Sequence, residues 1–195
     1  ILSTGSNPVV SFRAKKLGLI YLDTGAMYRA ATWLIQNKSI NPNDQPGIKN
    51  ILKDSKLEFK NSNLIEQKIL INNIDVTEKI RSPEITSLVS KISKQKFVRE
   101  LLTSQQQAIG LNGGIVAEGR DIGTAVFPDA DVKLFLTAST KERAKRRFLD
   151  LQKRGYECSS IEDLEKEIEA RDKEDSQREI APLKKAKDAI ELFTD

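Results

Sequence analysis

Residues 114–124 read Gly-Ile-Val-Ala-Glu-Gly-Arg-Asp-Ile-Gly-Thr, and the fold is predicted outward from this stretch. The apolar run 115–117 lies between a glycine pair and a charged turn, which predicts a short buried strand. Parallel α/β sheets bind ligands at the carboxyl ends of their strands, so Arg120 and Asp121 are predicted to lie at a binding edge. The planar fork of arginine suits a phosphate. The alternative is a solvated loop with a local Arg–Asp pair.

Strands and helices alternate on both sides of this stretch. The alternation is typical of an α/β protein with a parallel sheet flanked by helices. The strands are predicted at 19–22, 115–117, 132–136 and 188–192, and the helices at 9–17, 26–36, 83–109 and 140–154 and from 160 onward. Serines at 82 and 139 are predicted to cap two of these helices.

The segment 37–81 has a different character, rich in Asn, Lys and Asp, with short apolar pieces. Asn72 and Asn73 are predicted to form a hairpin turn between 69–71 and 74–76. We interpret 37–81 as a small β-containing insert in one domain that covers 1–195.

Composition narrows the class of protein. The 195 residues are 38% hydrophobic and 31% charged, which predicts one globular domain with a core. No apolar run approaches the ~20 residues that span a membrane, and no signal-peptide pattern is present. The single cysteine, Cys158, cannot form an internal disulfide, which favours a reducing compartment. We therefore expect a cytoplasmic protein that does not bind membranes.

The chain contains no histidine, which excludes Ser-His-Asp and Cys-His catalysis and histidine-based zinc sites. The net charge of +4 suits an anionic partner such as a nucleic acid or a small phosphate ester, or serves solubility alone. Few aromatic residues lie among the dispersed basic residues, which argues against a platform for stacking single-stranded nucleic acid.

Several helical residues have two possible interpretations. Arg29, in the first turn after a strand, either points at a ligand or reaches out from the surface. The pattern alone places Ser90 and Arg99 on the surface. Arg143 and Arg147 share one face of a basic helix, and a solvated helix is the default interpretation.

The last helix carries an apolar stripe that turns charged without changing face. Its members are Ile161, Leu164, Ile168, Arg171, Asp175 and Arg178. Unpaired charges on an inward face are costly, so the stripe predicts a polar cleft with a charged ligand. The alternative is that this end of the helix frays into water.

Three motifs carry a resemblance to a known family. They are Tyr-Leu-Asp-Thr-Gly-Ala-Met-Tyr-Arg-Ala at 21–30, Gly-Arg-Asp-Ile-Gly-Thr at 119–124 with Val-Phe-Pro-Asp-Ala at 126–130, and Arg171-Asp172 through Asp175, Arg178 and Ala-Pro-Leu at 181–183. The chain resembles bacterial cytidylate kinases, which are nucleoside monophosphate kinases, over about residues 14–194. The resemblance implies a three-layer α/β P-loop kinase with a parallel central sheet, a CMP-binding insert at 37–81 and a mobile helical lid at 143–178.

The same resemblance implies phosphoryl transfer from ATP to CMP or dCMP, with Mg²⁺ accompanying ATP as co-substrate. It implies small nucleotides as partners, no nucleic acid and a monomer. The residues implied to hold CMP are Thr24, Arg29, Ser90, Arg99, Arg120, Asp121, Arg171, Asp175 and Arg178, and the catalytic residues implied on the lid are Arg143 and Arg147. Phosphoryl transfer depends on positioning and charge neutralisation more than on a base, which suits a chain without histidine.

The chain departs from the family where ATP is expected to bind. The family has a loop of the type G-x-x-G-x-G-K-S-T, whose backbone N–H groups cradle phosphates. Here only Gly5 is retained for ATP binding, Ser6 stands at the lysine position, Asn7 stands at the Mg²⁺ hydroxyl position and Pro8 lacks a donor.

Loss of one preorganised donor typically costs ~10²–10³ in rate, so we expect the chain as written to be a very weak kinase or inactive. Our preferred explanation is an altered or truncated reading of the N-terminus of an intact enzyme. The alternative function is a catalytically inactive CMP-binding remnant, or a fragment of a fused enzyme.

Overall fold

The computed structural model describes residues 8–61, 67–157 and 159–195. These residues form two compact units that divide between Gly119 and Arg120. We call the described residues up to Gly119 the N-terminal unit, and Arg120–Asp195 the C-terminal unit. The predictions for Gly5, Ser6 and Asn7 of the altered loop, and for Cys158, lie outside the described residues.

Helices and strands alternate through most of the chain. The helices are α1 Pro8–Lys16, α2 Thr24–Asn37, α3 Gln45–Lys53, α4 Pro83–Ser93, α5 Lys96–Gly110, α6 Thr140–Lys153 and α7 Ile161–Gln177. The strands are β1 Ile20–Asp23, β2 Leu57–Asn61, β3 Gln67–Ile71, β4 Ile74–Asp75, β5 Ile115–Glu118, β6 Leu134–Thr137 and β7 Ile190–Phe193. A short 3₁₀ helix at Lys79–Arg81 precedes α4, and a π-helical turn at Ile122–Val126 occupies part of the predicted loop after β5. Within the described ranges, no helix combines the length and apolarity needed to cross a membrane.

A parallel strand pair organises the N-terminal unit. β1 lies beside β5 in a register that pairs Ile20 with Ile115 and Asp23 with Glu118. Because the two strands run in the same direction, their carboxyl ends meet at one edge. Asp23 caps α2 there, since its carboxylate accepts from the N–H of Ala26 at 2.9 Å. The predictions of these strands are confirmed with boundaries shifted by one residue.

Helix α2 supplies much of the core of this unit. Its predicted stripe of Met27, Ala30, Ala31 and Leu34 is buried, as helical spacing requires. The interior also contains Leu22 at the centre of β1. The apolar stripe of this helix is therefore confirmed.

The predicted single helix over 83–109 is wrong, because two helices occupy that range. Ser82 caps α4 as expected, accepting from the N–H of Ile85 at 3.3 Å. The break falls at Gln95, which has extended backbone angles and precedes α5. The side chain of Gln95 donates to the carbonyl of Pro42 at 2.8 Å. A contact between residues distant in sequence therefore stabilises the break between the two helices.

The predicted β-containing insert has a three-stranded antiparallel sheet in the order β2-β3-β4. Asn72 and Asn73 form the hairpin turn between β3 and β4 with φ of 51° and 66°, as predicted. Helix α3 was not predicted. Its signals are Asp44, which caps it by accepting from Gly47 at 3.0 Å, and Pro46 in its first turn.

The C-terminal unit contains a second parallel pair, in which β6 lies beside β7. Ser139 caps α6 as predicted, and Ser160 caps α7. The two helices share a small core of Ala144, Leu151 and Leu164, on which Phe148, Tyr156, Ile161 and Ile168 pack. This packing places charged side chains near the C-terminal end of α7 beside the first turns of α6.

Candidate functional site

A network of charged side chains lies inside the C-terminal unit, between the residue after Gly119 and helices α6 and α7. We call it the arginine network, and its members are Arg120, Asp121, Arg143, Arg171, Asp172, Asp175 and Arg178. The structure thus brings together every residue that was predicted in this unit except Arg147, and it adds Asp172.

Arg120 is held by two carboxylates of α7. Its Nη1 donates to Oδ1 of Asp172 at 2.8 Å and lies 3.0 Å from Oδ2 of Asp175. Both contacts use the same terminal nitrogen, and the side chain is 19% exposed. The alternative of a solvated Arg–Asp loop is therefore wrong for Arg120.

Asp175 is a buried carboxylate of the network. Its Oδ1 accepts from Nη1 of Arg178 at 3.1 Å, and Nε of Arg171 lies 3.9 Å from its Oδ2. The backbone carbonyl of Asp175 accepts from the N–H of Leu183 at 2.8 Å. The end of α7 is thus folded against its own chain, and the alternative of fraying into water is wrong.

Arg178 joins Asp175 to the turn after β5. Its Nε donates to the carbonyl of Ala181 at 2.6 Å, and its Nη2 lies 3.8 Å from Oδ1 of Asp121. Asp121 is buried. The charged continuation of the apolar stripe on α7 therefore faces inward, as the sequence predicts.

Two arginines of α6 are buried, although a solvated basic helix was the default expectation. Arg143 is 7% exposed and Arg147 is 4% exposed. Nε of Arg143 donates to the carbonyl of Ala138 at 3.2 Å, and its Nη1 lies 2.5 Å from Oδ2 of Asp172. Nη1 of Arg147 lies 3.6 Å from Oδ2 of Asp150. The default expectation is wrong here because carboxylates compensate these charges.

Positive charge exceeds negative charge in the arginine network. Four arginines share three aspartates, and Arg147 adds a further charge nearby. Burial, and after it the positive charge of Arg120, lowers the pKa of Arg171 to about 10, against the opposing effect of Asp175 and Asp172. A bound anion would reverse this effect, so the network is suited to phosphate.

The environment of Asp172 stabilises its charged form, in contrast to that of Arg171. Its partial burial raises the pKa of the carboxyl, but the hydrogen bonds and charges of Arg120 and Arg143 outweigh burial, and the net pKa is lowered. Asp172 was quoted in a motif but not predicted as a site residue. It lies one position off the inward stripe of α7, so its position next to Arg171 was the only sequence feature that indicated a role in the site.

Arg29 is buried in the N-terminal unit. Its Nη1 donates to the carbonyl of Ile80 at 3.2 Å and to Oγ1 of Thr86 at 2.9 Å. The alternative of a surface arginine is therefore wrong.

Burial raises the pKa of Asp23, against the opposing effects of the Ala26 N–H and of Arg81 and Arg29. Arg81, also buried, was missed because nothing in the local pattern marks it.

The other predicted residues of this unit lie on three helices. Arg99 is 3% exposed, so its predicted surface position is wrong. Its guanidinium lies 5.2 Å from the centre of the Tyr28 ring, and its Nη1 donates to the carbonyl of Ser93 at 3.1 Å. Thr24 is buried and donates to the carbonyl of Glu118 at 2.8 Å, whereas Ser90 is half-buried on α4.

The described ranges 8–61, 67–157 and 159–195 contain no group of three or more histidine, cysteine or acidic side chains placed to hold a metal ion.

Each unit contains a parallel strand pair accompanied by helices, which defines an α/β protein. The chain belongs to the cytidylate kinase family, whose model, described as "Cytidylate kinase", matches residues 3–195. This match confirms the resemblance and the predicted α/β P-loop kinase fold class.

Three similar proteins are named "Bifunctional pantoate ligase/cytidylate kinase". Two are from strains of Prochlorococcus marinus and are 76% and 58% identical over 191 residues, and one from a Synechococcus strain is 51% identical over the same length. Each match covers 98% of this chain and 37%, 37% and 40% of the relative, respectively. The chain thus spans less than half the length of these relatives.

Proposed function

We propose that this chain transfers the γ-phosphoryl group of ATP to CMP or dCMP, giving ADP and CDP or dCDP, at a rate lowered by the altered loop around Gly5. The observation that carries the proposal is the arginine network itself, in which Arg120, Arg143, Arg171 and Arg178 converge on only three aspartates. The cytidylate kinase family match and the names of the relatives support the choice of nucleotide.

In this proposal the network binds the acceptor nucleotide. Arg120 and Arg178 hold phosphate oxygens, because guanidinium groups bind them in a planar fork. Asp175 accepts from hydroxyls or from the cytosine amino group. Arg171 with Asp175, and Arg99 or Asp121, help to read sugar or base. The predicted binding residues of the N-terminal unit remain Thr24, Arg29, Ser90 and Arg99.

The chemical step requires no general base. A phosphate oxygen of CMP attacks the γ-phosphorus of ATP, a new P–O bond forms, and the bond to the β-phosphate oxygen breaks with ADP as the leaving group. Arg143 and Arg147 offset the negative charge of the transferred group. We propose that the segment 143–178 acts as a lid that excludes water.

Mg²⁺ enters this proposal as part of the co-substrate. Magnesium in such reactions is held largely by nucleotide phosphates and water, with one or two protein ligands. The loop predicted to contact ATP, with Gly5, lies outside the described residues, so no step is assigned to it. When bound, Mg²⁺ would neutralise charge between the β- and γ-phosphates.

A second candidate is a protein that binds CMP without turnover. Ser6 and Asn7, at the positions of the lysine and the Mg²⁺ hydroxyl in the family, favour it. Calorimetric titration with CMP, and separately with ATP and Mg²⁺, followed by an assay of CDP formation, distinguishes the candidates. Binding of both with turnover supports the kinase, binding of CMP alone supports the second candidate, and binding of neither contradicts both.

A matched pair of variants on α6 tests the catalytic assignment. Arg143→Gln removes the buried charge, and we expect CDP formation to fall about 10²–10³-fold. Lys145→Gln removes an exposed charge from the same helix and should leave the rate unchanged. Equal rates for the two variants would contradict the role of Arg143.

A further inference from the structure

We propose that Asp172 is a positioning residue, whose two carboxylate oxygens hold Arg120 and Arg143 in the orientation that binds phosphate. This inference rests on the proposed function and assigns a role to a residue outside the predicted site.

The first observation is that the two carboxylate oxygens of Asp172 contact different arginines. Oδ1 of Asp172 accepts from Arg120 at 2.8 Å, and Oδ2 lies 2.5 Å from Nη1 of Arg143. One carboxylate therefore joins an arginine after β5 to an arginine in the first turn of α6. With both oxygens engaged by arginines, Asp172 acts through them and not by accepting from a substrate.

The second observation concerns which nitrogen atoms of Arg120 contact the carboxylates. Its contacts with Asp172 and Asp175 run through Nη1. A guanidinium presents a second pair of donors, Nε and Nη2, on its other edge. Fixing Nη1 therefore orients the edge that suits bidentate binding of a phosphate.

Arg143 is fixed in a similar way. Nε donates to the carbonyl of Ala138 at 3.2 Å, and Asp172 holds Nη1. These two contacts constrain a long side chain that would otherwise sample many rotamers. Without the carboxylate, Arg120 and Arg143 would also repel each other, because each carries a positive charge.

The variant Asp172→Asn keeps the shape of the side chain and removes its charge. Calorimetric titration of this variant with CMP, and with cytidine as a ligand without phosphate, separates phosphate binding from nucleoside binding. We expect CMP affinity to fall about tenfold or more while cytidine affinity stays unchanged, because Arg120 and Arg143 are assigned to phosphate and not to the nucleoside. In turnover with ATP and CMP, we expect KM for CMP to rise and kcat to fall by about 10–10²-fold.

Two further variants complete the experiment. Glu167→Gln removes an exposed negative charge from α7 and should bind CMP as the original chain does. Asp172→Glu keeps the charge but displaces it by one methylene, so its CMP affinity should fall between those of Asp172→Asn and the original chain. If Asp172→Asn does not fold, a few-fold loss of CMP affinity in Asp172→Glu with unchanged cytidine affinity is the decisive result.

The outcomes separate this inference from the proposed function. Normal CMP binding by the original chain together with unchanged CMP binding by the Asp172 variants overturns the positioning role alone. Equal losses of CMP and cytidine affinity also overturn it, because they indicate general structural damage. Failure of the original chain to bind CMP overturns the proposed function and this inference together.

Discussion

The hydrogen-bond acceptors of the arginines differ between the two units. In the N-terminal unit, Arg29 donates to a carbonyl and a hydroxyl, and Arg99 donates to a carbonyl and faces an aromatic ring. In the C-terminal unit, Arg120 and Arg143 contact the carboxylate of Asp172. Neutral acceptors satisfy hydrogen bonds, whereas carboxylates also balance charge. The loss of an acceptor should therefore cost more in the C-terminal unit.

The largest effect is expected from Asp175→Ala. This change removes the buried carboxylate that contacts Arg120, Arg171 and Arg178. Because three positive charges lose a shared partner, we expect the free energy of unfolding to fall by about 3–5 kcal/mol. Urea denaturation measures it, with Glu100→Gln in an exposed pair as the control. A loss no larger than that of the control would show that the network does not depend on charge compensation.

The counterpart in the N-terminal unit is Thr86→Val, which keeps the side-chain shape and removes the hydroxyl that accepts from Arg29. We expect the free energy of unfolding to fall by about 2 kcal/mol. The change removes the hydrogen bond from the charged Arg29 and the bond that the hydroxyl donates to the carbonyl of Ser82, but it adds or removes no charge. The same denaturation experiment measures it. A loss of unfolding free energy equal to that of Asp175→Ala would contradict the expected difference between neutral and charged acceptors.

The two units should also respond to pH with opposite sign. The pKa of Asp172 is lowered from its ordinary value of 3.8, so its stabilising contribution is present above pH 3.8 and is lost as the pH falls below it. The pKa of Asp23 is raised, so its contribution declines as the pH rises above 3.8.

Unfolding free energies of Asp172→Asn and Asp23→Asn across acidic pH test this contrast. The difference in free energy of unfolding between the original chain and Asp172→Asn should decrease below pH 3.8, because the original chain then loses the contribution of its carboxylate. The stability of Asp23→Asn relative to the original chain should increase as the pH rises above 3.8. Parallel pH profiles for both variants and the original chain would refute the opposite shifts.

The smallest effects are expected at the helix caps, where the units should behave alike. Ser82 caps α4 in the N-terminal unit and Ser160 caps α7 in the C-terminal unit. Replacement of either serine with alanine should cost about 1 kcal/mol, because each cap satisfies one backbone N–H. Thermal unfolding compares the two variants. A clearly larger cost at Ser160 would indicate that this cap also supports the arginine network.

Elements marked by local signals were predicted well. The apolar runs at β1, β5 and β6 and the serine caps of α4 and α6 were recognised because both depend on residues close together in sequence. Helix α3 was missed because the polar composition of its segment obscured the signals at Asp44 and Pro46. The break at Gln95 was missed because its side chain contacts Pro42, which is 53 residues away.

The candidate site was predicted mainly by family resemblance. The charged stripe on α7 was the exception, since its periodicity alone indicated inward charges. Burial of Arg99 and Arg143 was not predictable from pattern, because an arginine is buried only where compensating groups surround it. Those groups come from Tyr28 and Asp172, far away in sequence.

The sequence by itself determined the alternation of strands and helices, the caps and the family, because these depend on local periodicity and on contiguous motifs. Only the tertiary structure decided which arginines are buried and what compensates each of them. Packing of α6 against α7 brings Arg143 to Asp172, and the chain after α7 returns to Asp175. Charge compensation acts over a few ångströms in space, and that distance has no fixed relation to separation along the chain.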